Sequence, residues 1–145
     1  MKKLLLTPLF LAILLVSCTD EDQSAEFVPI NSNNTLNCEL EIDSTTLVAI
    51  CLDGIDSAGA NEVIIFASSF YSANDDPSTC EFLWNIESGR MQILNVEKAI
   101  EGKIAKSIAT IQFNEDFSGN GLIEVDAINK SGSGFATHSI VLSSD

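Results

Sequence analysis

In the stretch Cys80-Glu81-Phe82-Leu83-Trp84-Asn85-Ile86, Cys80, Phe82, Trp84 and Ile86 fall on one parity, and Glu81, Leu83 and Asn85 fall on the other. A period of two with one apolar face is the pattern of a half-buried β-strand. Turn residues bound the stretch on both sides. Ser72 to Thr79 carries Asn74-Asp75-Asp76-Pro77, and Glu87-Ser88-Gly89 turns the chain after it. Upstream, Glu62 to Tyr71 reads as another strand with Ile64, Phe66 and Phe70 on one face, preceded by a loop over residues 53–61. Leu47 to Leu52 and Leu36 to Ile42 read as two more, because Leu36, Cys38, Leu40 and Ile42 alternate with Asn37, Glu39, Glu41 and Asp43.

Downstream, Ser107 to Phe113, Leu122 to Ile128 and Phe135 to Leu142 have strand character, with Asn114 to Gly121 and Asn129 to Gly134 as the turns between them. Ile123, Val125 and Ala127 form the inward face of their strand. Residues 90–106 are read as a strand over Met91 to Val96, then an irregular or briefly helical crossover. Val96, Ile100 and Ile104 are spaced four apart, with Gly102 inside the run. Seven to eight short strands with regular turn signals argue for an all-β sandwich over residues 35–145. Trp84 is expected to sit on a central strand and fill the space between the sheets as a core pin.

The N-terminus has a different character. Lys2 and Lys3 precede an apolar run from Leu4 to Val16, which is the layout of a secretory signal peptide and too short to span a bilayer. Leu15-Val16-Ser17-Cys18 resembles the lipobox of bacterial lipoproteins. That resemblance implies cleavage after residue 17, acylation of Cys18 (palmitate among the chains) and a lasting membrane anchor, since each buried CH₂ adds about 0.8 kcal/mol. Asp20-Glu21-Asp22, directly after the lipid-bearing position, resembles the surface-export signal of Bacteroidota lipoproteins. It implies an outer-membrane protein exposed on the cell surface. Residues 18–34 then read as an acidic, polar tether, with Asn31-Ser32-Asn33-Asn34 of turn composition.

Acids dominate the chain, at 21 Asp and Glu against 7 Lys and Arg. Loss of Lys2 and Lys3 with the leader takes the formal net charge from −14 to −16. Such a surface repels nucleic-acid phosphates, so nucleic acid is excluded as a partner. With Cys18 lipidated, Cys38, Cys51 and Cys80 remain in an exported protein, where disulfides persist. If Ser44-Thr45 is a two-residue hairpin loop, Cys38 faces Cys51 at a non-hydrogen-bonded pair, which makes that bridge the preferred one. Cys51–Cys80 is the rival pairing, and either leaves one thiol over.

The order from Cys80 onward resembles the PKD-like and immunoglobulin-like domains of secreted Bacteroidota proteins. The features that carry it are Phe82-Leu83-Trp84-Asn85-Ile86, then Ser88-Gly89, Ala109-Thr110-Ile111-Gln112-Phe113, Gly119 to Val125, Ala127-Ile128-Asn129 and Gly132. The resemblance covers roughly residues 60–142 and implies the fold more strongly than a role. Spacers, adhesion modules and carbohydrate-associated accessories are the roles it suggests.

Catalytic chemistry is sparse. His138 is the single histidine, there is no Gly-x-Ser-x-Gly elbow, and Gly132-Ser133-Gly134 is a hairpin loop by context. Zinc motifs are absent. Oxygen-rich loops leave calcium as the one cofactor to weigh beside the covalent lipid, with Asp53, Asp56, Asn61 and Glu62 on one loop and Asn74, Asp75 and Asp76 on another; solvated turn residues are the simpler reading. Asp43-Ser44-Thr45 and Asp56-Ser57-Ala58 resemble the Bacteroidota O-glycosylation motif. The expectation is therefore a non-enzymatic, lipid-anchored binding or adhesion module whose partner is a protein or glycan, with loops 53–61, 72–79 and 114–121 as the contact surface. A structural spacer within an envelope complex is the alternative. Replacing Cys18 with Ala should abolish acylation and leave the leader uncut, as read by mass spectrometry; removal of residues 1–17 from the variant would contradict the lipobox reading.

Overall fold

The computed structural model describes residues 38–143. The leader over 1–17, Cys18, Asp20-Glu21-Asp22 and the tether to residue 34 lie outside the described residues. The strands are β1 (Val48–Asp53), β2 (Ser57–Ala58), β3 (Val63–Ser72), β4 (Glu81–Ser88), β5 (Met91–Glu101), β6 (Ile104–Phe113), β7 (Asn120–Ile128) and β8 (Ser133–Leu142). They form two four-stranded sheets, ordered β1-β3-β6-β5 and β2-β8-β7-β4. All neighbours pair antiparallel except the short β2, which runs parallel to β8. The architecture is an immunoglobulin-like β-sandwich.

Alternation along the strands explains why the sheets stack. Ile64, Phe66 and Phe70 of β3, Ile111 and Phe113 of β6, Ile123 and Val125 of β7 and Ile140 of β8 point inward and are fully buried. Each such side chain contributes about 1.5–3 kcal/mol on leaving water. Phe117, in the loop after β6, adds an edge-to-face contact with Phe113 at a centroid distance of 4.8 Å. A smaller cluster of Phe70, Cys80, Ala105 and Ala127 closes one end of the core. Gly54 lies so close to the Phe66 ring that a Cβ there would meet Cδ1 at 2.1 Å, so the loop after β1 can cover the core only with glycine at this point.

Trp84 is buried and crosses the inter-sheet space. Its indole Nε1 donates to Ser107 Oγ on β6 at 2.9 Å, and that hydroxyl donates to Glu97 O on β5 at 3.1 Å. The strand that carries it differs from expectation: β4 is the edge of its sheet, not a central strand. Only Gly89 and Arg90 separate β4 from β5, so the chain passes directly to the other sheet before another strand can be laid beside β4. Gly89 has φ +96°, which suits this sharp crossing. Glu87 and Ser88 belong to β4, and the turn begins two residues later than their composition suggests, at Gly89.

Two further expectations are corrected. Residues 90–106 contain no helical crossover: β5 runs for 11 residues and joins β6 through the two-residue loop Gly102-Lys103. Gly102 takes φ +59° at the first loop position, the arrangement of a II′ hairpin. The four-residue spacing of Val96 and Ile100 is also a multiple of two, so it satisfies a strand equally well. The described part of the Leu36–Ile42 segment is not a strand. Here Asp43 accepts from Thr45 N at 2.8 Å, Thr45 Oγ1 at 2.8 Å and Thr46 Oγ1 at 3.0 Å. This local turn engages groups that a hairpin would have used, and β1 pairs with β3 instead.

Removing the Ser107 hydroxyl by Ser107→Ala should leave the Trp84 indole N–H without its acceptor and cost about 1–3 kcal/mol in urea unfolding. A midpoint unchanged from wild type would show that the bond does not hold the sheets together.

Candidate functional site

Cys38 and Cys51 form a disulfide with a Cα–Cα distance of 5.7 Å, which ties the segment before β1 to β1 itself. Cys80 is the free thiol and is buried at the head of β4. Burial raises the thiol above its ordinary value, with the Lys98 ammonium pulling the other way. A neutral, enclosed thiol is a poor nucleophile.

The acidic loops act as braces. Asp53 Oδ1 accepts from Gly54 N at 2.9 Å, and Glu62 Oε2 accepts from Gly59 N at 2.7 Å. Asp76 Oδ1 accepts from Ser78 N at 2.9 Å, capping the 3₁₀ turn Pro77–Thr79. Asp75 Oδ2 accepts from Ser131 N at 2.6 Å, joining the β3–β4 loop to the β7–β8 loop. Among the described residues, no group of three or more His, Cys, Asp and Glu is arranged to hold a metal ion, so the structure does not gather Asp53, Asp56, Asp75 and Asp76 into one site. His138 points inward from β8. Its Nε2 lies 3.0 Å from Ile55 O and 3.4 Å from Asp56 Oδ1, and its ring meets Phe66 edge-on at 5.5 Å. These contacts hold the β1–β2 loop against the core.

Loops 53–61, 72–79 and 114–121 do not make one surface. Val63 pairs with Gln112 and Met91 with Phe113, so the loops before β3 and after β6 share one end. Tyr71 pairs with Ile104 and Glu81 with Ile128, which puts the β3–β4 loop at the other end with the β7–β8 loop.

Surface features concentrate instead around β4. On the outer face of its sheet, Leu83, Asp126 and Phe135 form one cross-strand row, and Glu81, Ile128 and Ser133 form the next. Leu83 and Phe135 are each 67% exposed. They border a hollow of ≈ 590 Å³ that also touches Glu81, Asp126 and Ile128. On the inner side of β4, a second hollow of ≈ 330 Å³ opens between the sheets, lined by Cys80, Phe82, Lys98, Ile100, Ala105 and Lys106 among others. Val96, Lys98 and Ile100 pair with Ala109, Ser107 and Ala105, so they lie on the core-facing side of β5. Yet Val96 is 40% and Ile100 55% exposed. The opposite sheet ends at β4, and nothing among the described residues covers them.

No protein-family model matches the chain, and no curated protein matches it.

The β4–β5 opening escaped the sequence reading because it depends on which strand is last in its sheet. The outer-face patch did carry a signal: Leu83 is an apolar residue on the polar parity of its strand, and Phe135 opposes the parity of Ile140.

Hydrogen bonds from Thr45 and Thr46 hold the Asp43 carboxyl below its ordinary value of 3.8, and the Ser78 N–H does the same for Asp76. A carboxylate lowered in the folded state stabilises above its unfolded pKa and loses that contribution as pH falls through the folded one. Stability in urea should therefore decline as pH drops below 3.8, and the decline should be shallower in Asp43→Ala and Asp76→Ala than in wild type. Parallel pH curves for wild type and both variants would contradict this.

Proposed function

We propose that this chain is a lipid-anchored protein of the outer-membrane surface whose immunoglobulin-like domain is a non-catalytic binding or adhesion module. The observation that carries the reading is the exposure of Leu83 and Phe135, which flank Asp126 in one cross-strand row, with Ile128 in the next row, on the outer face of β4-β7-β8. Three large apolar side chains grouped on one sheet face are the kind of patch that marks a contact surface. Burying each of them against a partner would contribute about 1.5–3 kcal/mol, enough for a small cluster to anchor a complex. The sequence-based expectations of lipidation at Cys18 and export through Asp20-Glu21-Asp22 supply the location. The contacts of His138 and of the loop carboxylates support a role without catalysis, since these groups brace loops.

Intact cells treated with a membrane-impermeant crosslinker should yield adducts of the wild-type protein, and the Leu83→Ser/Phe135→Ser double variant should lose most of them while keeping its urea midpoint. Adducts unchanged in the double variant would remove this face from the account. Full protection of the domain from protease added to intact cells would remove the surface location.

A further inference from the structure

The opening between β4 and β5 has the form of a sandwich with one strand position empty. Among the described residues, β4 and β5 are the last strands of their sheets on the same side, and none of those residues pairs with their outer backbone edges. Val96 and Ile100 stand on the core face of β5 without cover, above an apolar floor of Phe82, Cys80 and Ala105. Sheets pack about 10 Å apart and neighbouring strands lie about 4.8 Å apart, so a strand added beside β4 would stand opposite the core face of β5.

Charge narrows the occupant. Five Lys and Arg lie outside the leader, and Lys98, Lys103 and Lys106 belong to the β5–β6 hairpin. The charged residues lining the hollow are Lys98 and Lys106, of which Lys98 is on the core-facing side of its strand. Lys106 pairs with Glu101. Lys98 Nζ donates to Cys80 O at 3.4 Å and has no ion pair among the described residues. Val96, Lys98 and Ile100 share one parity, so a strand laid opposite them would present apolar, acidic and apolar side chains at alternate positions.

We propose that this edge receives an extended peptide segment of a partner protein as an added strand. The segment pairs with the free edge of β4, sends alternate apolar side chains over Phe82, Val96 and Ile100, and sets a carboxylate against Lys98. This rests on the binding-module reading and gives it a mode and a partner chemistry. A second copy of the chain is a poorer occupant. It would bring Glu81 and Glu87 of one β4 alongside those of the other, between two chains that each carry a strong negative charge.

The test uses the full mature chain made soluble by Cys18→Ser, in which Cys80 is the thiol left to alkylate because Cys38 and Cys51 are bridged; buried in the floor of the hollow, it reacts slowly, and cover over the hollow slows it further. The probes are two fluorescein-labelled heptapeptides, Thr-Val-Thr-Glu-Thr-Val-Thr and its Lys-centred counterpart, read by anisotropy and by the rate of Cys80 alkylation with N-ethylmaleimide. The Glu peptide should bind, slow alkylation by about fivefold or more at saturation, and outcompete the Lys peptide by roughly tenfold. Lys98→Glu should reverse that preference, and Ile100→Asp should abolish binding, with the urea midpoint reporting that each variant is folded. Equal binding of both peptides, binding by neither, or undiminished binding of a version N-methylated at alternate residues would overturn the proposal. Alkylation that slows with protein concentration would assign the edge to a second copy and overturn it. So would faster alkylation of Phe27→Ser/Ile30→Ser, which would assign the edge to the chain's own N-terminal segment. If the peptides fail while the crosslinked adducts remain sensitive to Leu83 and Phe135, strand addition falls and the binding role stands.

Discussion

The hydrogen bond from the Trp84 indole to Ser107 spans the gap between the two sheets, and the shape of the β4–β5 side depends on it. Ser107 passes the connection to the Glu97 carbonyl, so an edge strand of one sheet is tied through β6 to an edge strand of the other. A tryptophan is long enough to fill the inter-sheet space without a facing aromatic, and its single polar atom needs a partner when buried. That combination keeps β4 seated on the core although it has a neighbour on only one side.

The two flanks of the sandwich are finished differently. At the β1 and β2 flank, the β2–β8 pairing, the His138 contact with Ile55 O and the approach of Gly54 to Phe66 close the core. At the β4 and β5 flank, the chain crosses directly through Gly89 and Arg90, and nothing among the described residues covers Val96 and Ile100. Natural sheets protect open edges with charges and bulges, and both occur here. The pairing shifts register between Ile86 and Ser88 in β4 and between Ile93 and Asn95 in β5, while Lys98 and Glu101 lie along the β5 edge. These features oppose uncontrolled pairing and leave room for a chosen partner.

Much of the fold was legible locally. The parities of residues 62–71, 80–86 and 122–128 transfer to the structure because each strand has one face in a shared core, and a slip of one residue would expose Phe66, Trp84 or Val125. Residues 38–42 misled because alternation describes what a strand needs, not whether a neighbour is free to pair with it. Residues 96–104 misled because a spacing of four fits both periods. The edge position of β4, the opening beside it and the division of the loops between two ends are properties of topology, which no single segment encodes. The expected leader and the lipidation expected at Cys18 rest on pattern alone and lie outside the described residues.

The central claim is that β4 is an open edge prepared for a partner. Residue-resolved amide hydrogen exchange on the soluble mature chain tests it most directly. Amides of β4 that face its outer edge should exchange faster than those of β7, which has a neighbour on both sides and should approach the protection set by global unfolding. Protection along β4 equal to that of β7 would mean that the edge is already covered, and would contradict the account.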